Sequence, residues 1–340
     1  MLAICIECSH QRGMGHLFRA LNLIRFLEKK RAPYVLLVNA DRAAAEILEE
    51  RGITPVIVDL QDTRTDWEGR LIAQRGITVW LNDRLDTGAE TAAHVKRAGA
   101  LLFTVDDMGE GAALADGNFA SLIFDPMQRV PGKSVYRGSD YLILNPEIAK
   151  YRRPRERMER ILVTLGGSDT YGVTLQVIAY LKRWRQQAAA GASANTAFGK
   201  MITILLGPGS AVRREAETAV QGTDFAIAEH VPSLMAFFAE FDFAITGGGV
   251  TALEAAASGL PCMVIANERH EIQIGEYLER TGCAVFAGYY REMVPERIAD
   301  VTDAQIREMS RRGMEAVNLS GAERIYGVVT EALQKRQEKE

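Results

Sequence analysis

The sequence predicts an α/β fold built from two parallel-sheet units. Three observations lead there. Short apolar runs rich in β-formers alternate with helix-period patterns along the whole chain. The alternation breaks once, at the charged stretch "AKYRRPRERMER" (149–160), and then restarts. Glycine-rich turns follow several of the apolar runs, where a strand would hand over to a helix. A chain of 340 residues is long enough for two domains, at roughly 100–200 residues each.

In the first half, "LAICIE", "YVLLV", "PVIVDL", "ITVWL" and "ALLFTV" read as strands. "HLFRALNLIRFLEKK", "DRAAAEILEERG" and "TGAETAAHVKRAG" recur in apolar residues every three to four positions and read as helices. Gly52 and Gly99 stand where residues closing the second and third of these helices belong. The stretch 149–159 holds Pro154, is dense in charge and lacks an apolar run, so it is expected to link a domain 1–148 to a domain 160–340. Glu156 and Glu159 dilute its positive charge, which argues against a nucleic-acid patch. Beyond it, "RILVTL", "MITILL", "FAIAE", "FDFAIT" and "PCMVIA" read as strands. "TLQVIAYLKRWRQQAAA", "SAVRREAETAV", "VPSLMAFFAEF" and "TALEAAASG" read as helices. "QQAAAGASANTAFGK" (186–200) reads as a loop. A last helix at about 320–337 either completes the second domain or packs back on the first. A cleft between two such halves, at the carboxyl ends of their strands, is the expected ligand site.

Composition narrows the function. Lys and Arg number 40 against 44 Asp and Glu, for a net charge of −4, which gives no electrostatic footprint for nucleic acid. No apolar run reaches the roughly 20 residues a membrane helix needs, and "MLAICIECSHQRG" lacks the basic start of a signal peptide. A cytoplasmic protein, monomeric or weakly self-associating, with a small-molecule substrate is expected. Cys5 and Cys8 form a CxxC pair, but with no second pair at ligand spacing they read as buried reduced thiols, as do Cys262 and Cys283. No metal or cofactor is implied.

The informative residues lie in the glycine turns. In "RGMGHLFRAL" (12–21), Gly13 and Gly15 allow close backbone approach, and a helix opens at His16. Its unpaired amides and dipole suit an anion such as phosphate. The dinucleotide fingerprint is missing, because position 18 is Phe, and "YVLLVNA" ends in Asn39 rather than an acid, which argues against a nicotinamide cofactor. His16 is a general base or a packed helix-start residue; Arg19 is an anion ligand or a solvated charge. In "TLGGSDT" (164–170), Ser168 or Asp169 can cap the following helix. In "ITGGGVTALEAAASGLP" (245–261), three consecutive glycines precede a helix that carries Glu254, an arrangement suited to a diphosphate and two ribose hydroxyls.

Together these pieces resemble the nucleotide-sugar hydrolase family of the pseudaminic acid pathway and its spore-coat relatives (PseG/SpsG-like), within the GT-B superfamily. "GMGHLFR" is similar to that family's GxGHxxR, "TVDDMGEG" to its hydrophobic-Asp-Asp stretch, and "YLILNPEI" to the segment before its linker. "ILVTLGGSDTYGVT" resembles the turn opening its second domain, and "MAFFAEFDFAITGGGVTALEAAASGLPCMVIA" with "IQIGEYLERTGCA" its nucleotide-binding half. The resemblance implies a GT-B architecture of two Rossmann-like domains with parallel sheets facing a central cleft, closing on a UDP-sugar. It implies His16 as the catalytic residue and Gly166, Gly167, Ser168, Gly248, Gly249, Thr251 and Glu254 as nucleotide contacts. Asn267 and Gln273 stand where the family has an Asn and a following Gln. Gly13, Gly15, Arg19, Asp83, Asp106 and Asp107 are expected near the sugar, the last two as hydroxyl-binding or loop-orienting groups. The sequence departs from the family at Asp83-Arg84-Leu85, where the family often has Asp-Ser-Tyr; at "NERHEIQ", a stretched Asn-Gln; and at Glu7 in place of an early Asp.

The implied reaction is metal-independent, inverting hydrolysis of a nucleotide-activated amino or deoxy sugar. A nucleoside diphosphate leaves readily and needs charge stabilisation rather than a proton, so one base acting on water suffices. The alternatives are a GT-B glycosyltransferase, with an acceptor hydroxyl in place of water, and a non-catalytic nucleotide-sugar binder.

Overall fold

The computed structural model describes residues 1–8, 14–166, 169, 171–189, 200–207, 210, 212–229 and 231–338. The chain divides into two units, Met1–Leu144 with Leu319–Glu340, and Asn145–Asn318.

The first unit runs β1 (Leu2–Ile6), α1 (Gly15–Lys30), β2 (Tyr34–Val38), α2 (Arg42–Glu50), β3 (Val56–Ile57), α3 (Trp67–Arg75), β4 (Val79–Asp83), α4 (Ala89–Arg97), β5 (Leu101–Val105), β6 (Gly117–Ala120) and β7 (Val135–Arg137). The sheet order is β3-β2-β1-β4-β5-β6-β7, parallel throughout. Side-chain alternation in β1 divides the core between two faces. Ile4 and Ile6 join Leu17, Leu21 and Ile24 of α1 on one side. Ala3 and Cys5 join Trp80, Val95 and Leu102 on the other. A sheet covered on both faces is why these strands read as continuous apolar runs. Gly52 and Gly99 take left-handed φ of 67° and 83° as their helices close.

The second unit runs α5 (Ile148–Tyr151), β8 (Arg160–Thr164), α6 (Val173–Ala189), β9 (Met201–Leu205), α7 (Arg213–Ala219), β10 (Ala226–Ala228), α8 (Leu234–Phe238), β11 (Phe243–Gly247), α9 (Val250–Ala257), β12 (Cys262–Ala266), α10 (Ile272–Arg280), β13 (Ala284–Tyr289) and α11 (Asp303–Ala316). Its sheet order is β10-β9-β8-β11-β12-β13, again parallel.

One sequence expectation meets a different structure. The charged stretch expected to be a linker packs into the second unit. Arg155, 1% exposed, donates to the carbonyls of Arg153 and Ser258 at 2.6 Å each, Phe238 at 2.9 Å and Phe241 at 3.2 Å. A guanidinium with its donors matched to carbonyls can be buried, which charge density along the sequence does not reveal. The helix begun at Val173 continues to Ala189, close to the helix read over 174–190, and the loop reading of 190–199 falls outside the described residues. Of the two placements the sequence allows for the last helix, α12 (Gly321–Gln337) takes the one in the first unit. There Ile325 and Val329 share the α1-side core, and Tyr326 meets Phe26 edge-on at 5.8 Å.

All four cysteines are free and buried. Burial pushes the Cys5, Cys8 and Cys262 thiols up to about 12, which makes them poor nucleophiles and ligands. Among the described residues, no helix is long and apolar enough to cross a membrane.

Candidate active site

In open parallel sheets, ligands bind at the carboxyl ends of the strands where the order reverses. The first unit reverses between β1 and β4, with Ile6 in register with Asp83. The second reverses between β8 and β11, with Thr164 in register with Thr246. Among the described residues, His16, Arg19, Asp83 and Asp106 lie at the first point, and Gly248, Gly249, Thr251 and Asn267 lie at the second.

At the first point, His16 sits on the opening turn of α1, its side chain 15% exposed. Its Nδ1 lies 2.6 Å from Asp83 Oδ1, at the end of β4. A carboxylate accepts but does not donate, so Nδ1 carries a proton, and in the neutral ring Nε2 presents the lone pair. Arg19 lies one turn further along α1. Its Nε donates to Asp83 Oδ2 at 2.7 Å, its Nη2 donates to Asp83 Oδ1, and its Nη1 donates to Asp106 Oδ2 at 2.7 Å. Burial works to raise the Asp83 carboxyl, but the facing Arg19 and His16 outweigh it and hold it down at about 2. Arg19 responds in kind: burial lowers it, and the two carboxylates more than offset this and raise it.

This network bears on four residues for which the sequence offers roles: Arg19 as an anion ligand or a solvated charge, Asp83 near the sugar, and Asp106 and Asp107 as hydroxyl-binding or loop-orienting groups. At 8% exposure the Arg19 guanidinium is committed to Asp83 and Asp106. Asp83 faces the imidazole. Asp106 accepts from Arg19, Ser121 Oγ and Leu122 N. Asp107 is fully buried, accepting from Thr87 N at 3.0 Å, from Thr87 Oγ1 and from Gly109 N at 2.9 Å. It braces the loops after β4 and β5 and has no surface left for a sugar. Gly15, the exposed first residue of α1, precedes a turn that no described side chain caps. Gly13 lies outside the described residues.

At the second point, the β11–α9 turn is likewise uncapped by any described side chain, with Gly249 in the N-cap position. By contrast Asp41, Asp66, Ser233 and Thr302 cap α2, α3, α8 and α11. An uncapped helix start leaves amides available to an acceptor. Gly248 is obligatory for packing, since a Cβ there would stand 2.7 Å from Glu271 Cβ and 3.0 Å from its carbonyl oxygen. The Glu271 carboxylate in turn accepts from Asn267 N at 2.7 Å. Asn267 Nδ2 donates to Leu165 O at 3.2 Å, tying the end of β12 to the turn after β8, while its buried Oδ1 accepts from no described residue. Thr251 and Gln273 stand half-buried on the opening turns of α9 and α10.

The "GGSD" turn behaves differently. Gly166 has φ 99°, but Asp169 accepts from Val173 N at 2.9 Å and Thr174 N at 3.0 Å, so the first amides of α6 are already occupied. Gly167 and Ser168 lie outside the described residues. Glu254, half-buried on α9, accepts from Asn145 N at 3.3 Å. Burial pushes its carboxyl up to about 7, and that one backbone donor offsets little of the rise.

Glu271, Ser121 and Asn145 were not singled out from sequence. Glu271 forms a capping box with Glu268, but Glu at the N-cap is outside the usual Ser/Thr/Asp/Asn signature, so the sequence carries no clear signal for it. Ser121 and Asn145 lie in loops whose approach depends on the fold. Asp66, Glu68 and His94 also gather in the first unit, where the buried Glu68 carboxylate meets His94 Nδ1 at 2.9 Å; this pair accounts for the group.

The two reversing sheets define the class: the chain has the GT-B fold of two Rossmann-like units. No family model matches it. It resembles the MurG of Acinetobacter baumannii at TM-score 0.68, with 13% identity over 97% of this chain and 99% of that one. It resembles the MnaA of S. aureus, solved with UDP, at TM-score 0.62, with 16% identity over 98% of this chain and 97% of that one. In sequence it is similar to the spore coat polysaccharide biosynthesis protein SpsG of Bacillus subtilis (strain 168). The two are 27% identical over 323 residues, covering 91% of this chain and 88% of that protein.

Proposed function

We propose that the protein hydrolyses a UDP-linked amino or deoxy sugar at its anomeric carbon, without a metal and with inversion, in the biosynthesis of a surface glycan or nonulosonic acid. One observation carries the reading: the 2.6 Å contact between His16 Nδ1 and Asp83. It sets the tautomer in which Nε2 is a base, and the buried carboxylate stabilises the imidazolium that forms. Water attacks the anomeric carbon and gives its proton to Nε2. The bond from that carbon to the diphosphate oxygen breaks, and its electron pair leaves with UDP. The second unit holds the nucleotide. Amides at the uncapped start of α9 stabilise the departing diphosphate, and Glu254 accepts from the ribose hydroxyls. The similarity to a polysaccharide-biosynthesis protein and the UDP in a fold relative support the substrate class.

The same dyad would take the proton of an acceptor hydroxyl, so glycosyl transfer is the competing reading. The test is incubation of the purified protein with a panel of UDP- and CDP-sugars, following free nucleotide by chromatography. Release without acceptor supports hydrolysis. Release only with an added acceptor establishes transfer, and tight binding without turnover refutes both.

A further inference from the structure

Asp83 and Arg19 are held from their far side by a residue in an uncommon conformation. Asp106 follows β5 with φ 50°, in the left-handed region that side-chain-bearing residues seldom occupy and Asp and Asn tolerate best. Its N–H donates to Phe119 O at 2.9 Å. The side chain, 4% exposed, accepts from Arg19 Nη1 at 2.7 Å, Ser121 Oγ at 3.0 Å and Leu122 N at 2.7 Å. The left-handed turn is what aims this carboxylate at Arg19. Glycine would relieve the backbone but could not meet the guanidinium.

The formal charges matter as much as the geometry. Asp83, Arg19 and Asp106 sum to one negative charge in a buried cluster. A proton taken up by His16 neutralises it. Without Asp106 the same step would leave one net positive charge in that cluster, which is unfavourable away from water. Asp83 from β4 and Arg19 from its own helix contact the His16 ring.

We infer that Asp106 is a positioning residue for His16: through Arg19 it fixes Asp83 against the imidazole and supplies the negative charge that lets the cluster accept a proton on that ring. The inference extends the proposed reaction, in which His16 is the base, but its first test needs no substrate. Asp106→Asn preserves shape and tolerance of the left-handed turn and removes only the charge. In protein labelled with 15N-histidine, with the His16 signals assigned from His16→Ala, the neutral ring of the wild type should be the Nδ1–H tautomer. Asp106→Asn should show a mixture of tautomers. Asp106→Gly, free of backbone strain, should behave like Asp106→Asn. Against whichever nucleotide sugar the wild type cleaves, Asp106→Asn should lower kcat by about 10- to 100-fold, the loss of one charge-assisted contact, with KM little changed. Identical histidine spectra in a folded Asp106→Asn protein overturn the inference. A changed spectrum in a protein that cleaves no nucleotide sugar upholds the inference and counts against the reaction instead.

Discussion

Replacing Asp83 with asparagine preserves volume and removes the charge that faces both Arg19 and His16. The carboxyl is held at about 2 against an ordinary value of 3.8. That difference of about 1.8 pH units is worth about 2 kcal/mol at roughly 1.4 kcal/mol per unit. The sign follows from a depressed acid. The unfolded chain binds the proton more tightly, so the stabilisation is complete above pH 3.8 and disappears as pH falls through 2. About half should remain at pH 3. Urea unfolding followed by tryptophan fluorescence measures it, in a Trp184→Phe background that leaves Trp67 and Trp80, both in the first unit, as reporters. The gap between wild type and Asp83→Asn should be about 2 kcal/mol at pH 7 and close to half that at pH 3. Turnover should fall much further, by about 10³- to 10⁴-fold, because an asparagine amide can donate to Nδ1 and hold the ring in the wrong tautomer. A stability gap that does not narrow towards pH 3, or a variant with wild-type turnover, would refute the argument that Asp83 is an ionised partner of both residues.

His16→Ala should reduce nucleotide release by about 10²- to 10⁴-fold while UDP affinity, measured calorimetrically, stays nearly unchanged. Gly248→Ala drives a Cβ against Glu271; a stability loss of about 1–3 kcal/mol and weaker UDP binding are expected, read by thermal unfolding and titration. Glu254, raised to about 7, should make UDP affinity rise from pH 6 to pH 8, as the ionised form becomes available to accept from ribose. Glu254→Gln should flatten that dependence, and a flat wild-type profile would remove Glu254 from the ribose site. In the free protein a raised acid has the opposite linkage to Asp83. Stability falls as pH climbs from 4.5 towards 7, so Glu254→Gln should be the more stable form at pH 8, by at most about 3.5 kcal/mol and less where water screens the group.

The fold was legible because its signal is local and repeated. In "LAICIE" and "YVLLV" the run length and β-branched content reflect burial on both sheet faces. In "HLFRALNLIRFLEKK" the three-to-four spacing reflects burial on one side of a helix. Short strands such as "GNFA" and "VYR" carry too few residues for either pattern and were missed. The glycine turns were legible for a related reason, since backbone that closely approaches a neighbour tolerates no side chain, as Gly248 illustrates against Glu271.

What a residue does with its charge was not legible. From sequence, Arg19 and Asp106 are a cation and an anion 87 positions apart, and either suits a substrate. Only the fold brings them to 2.7 Å and leaves both committed to each other. The same holds for Arg155, which reads as solvated linker charge and proves to be a buried donor to four carbonyls. Periodicity records which way a side chain faces along its own element, so the sequence determined the elements, their alternation and the places where backbone must bend. Partners come from other elements at distances the chain order does not encode, so the tertiary structure alone decided that His16 meets Asp83, and that Asp83 and Asp106 share Arg19.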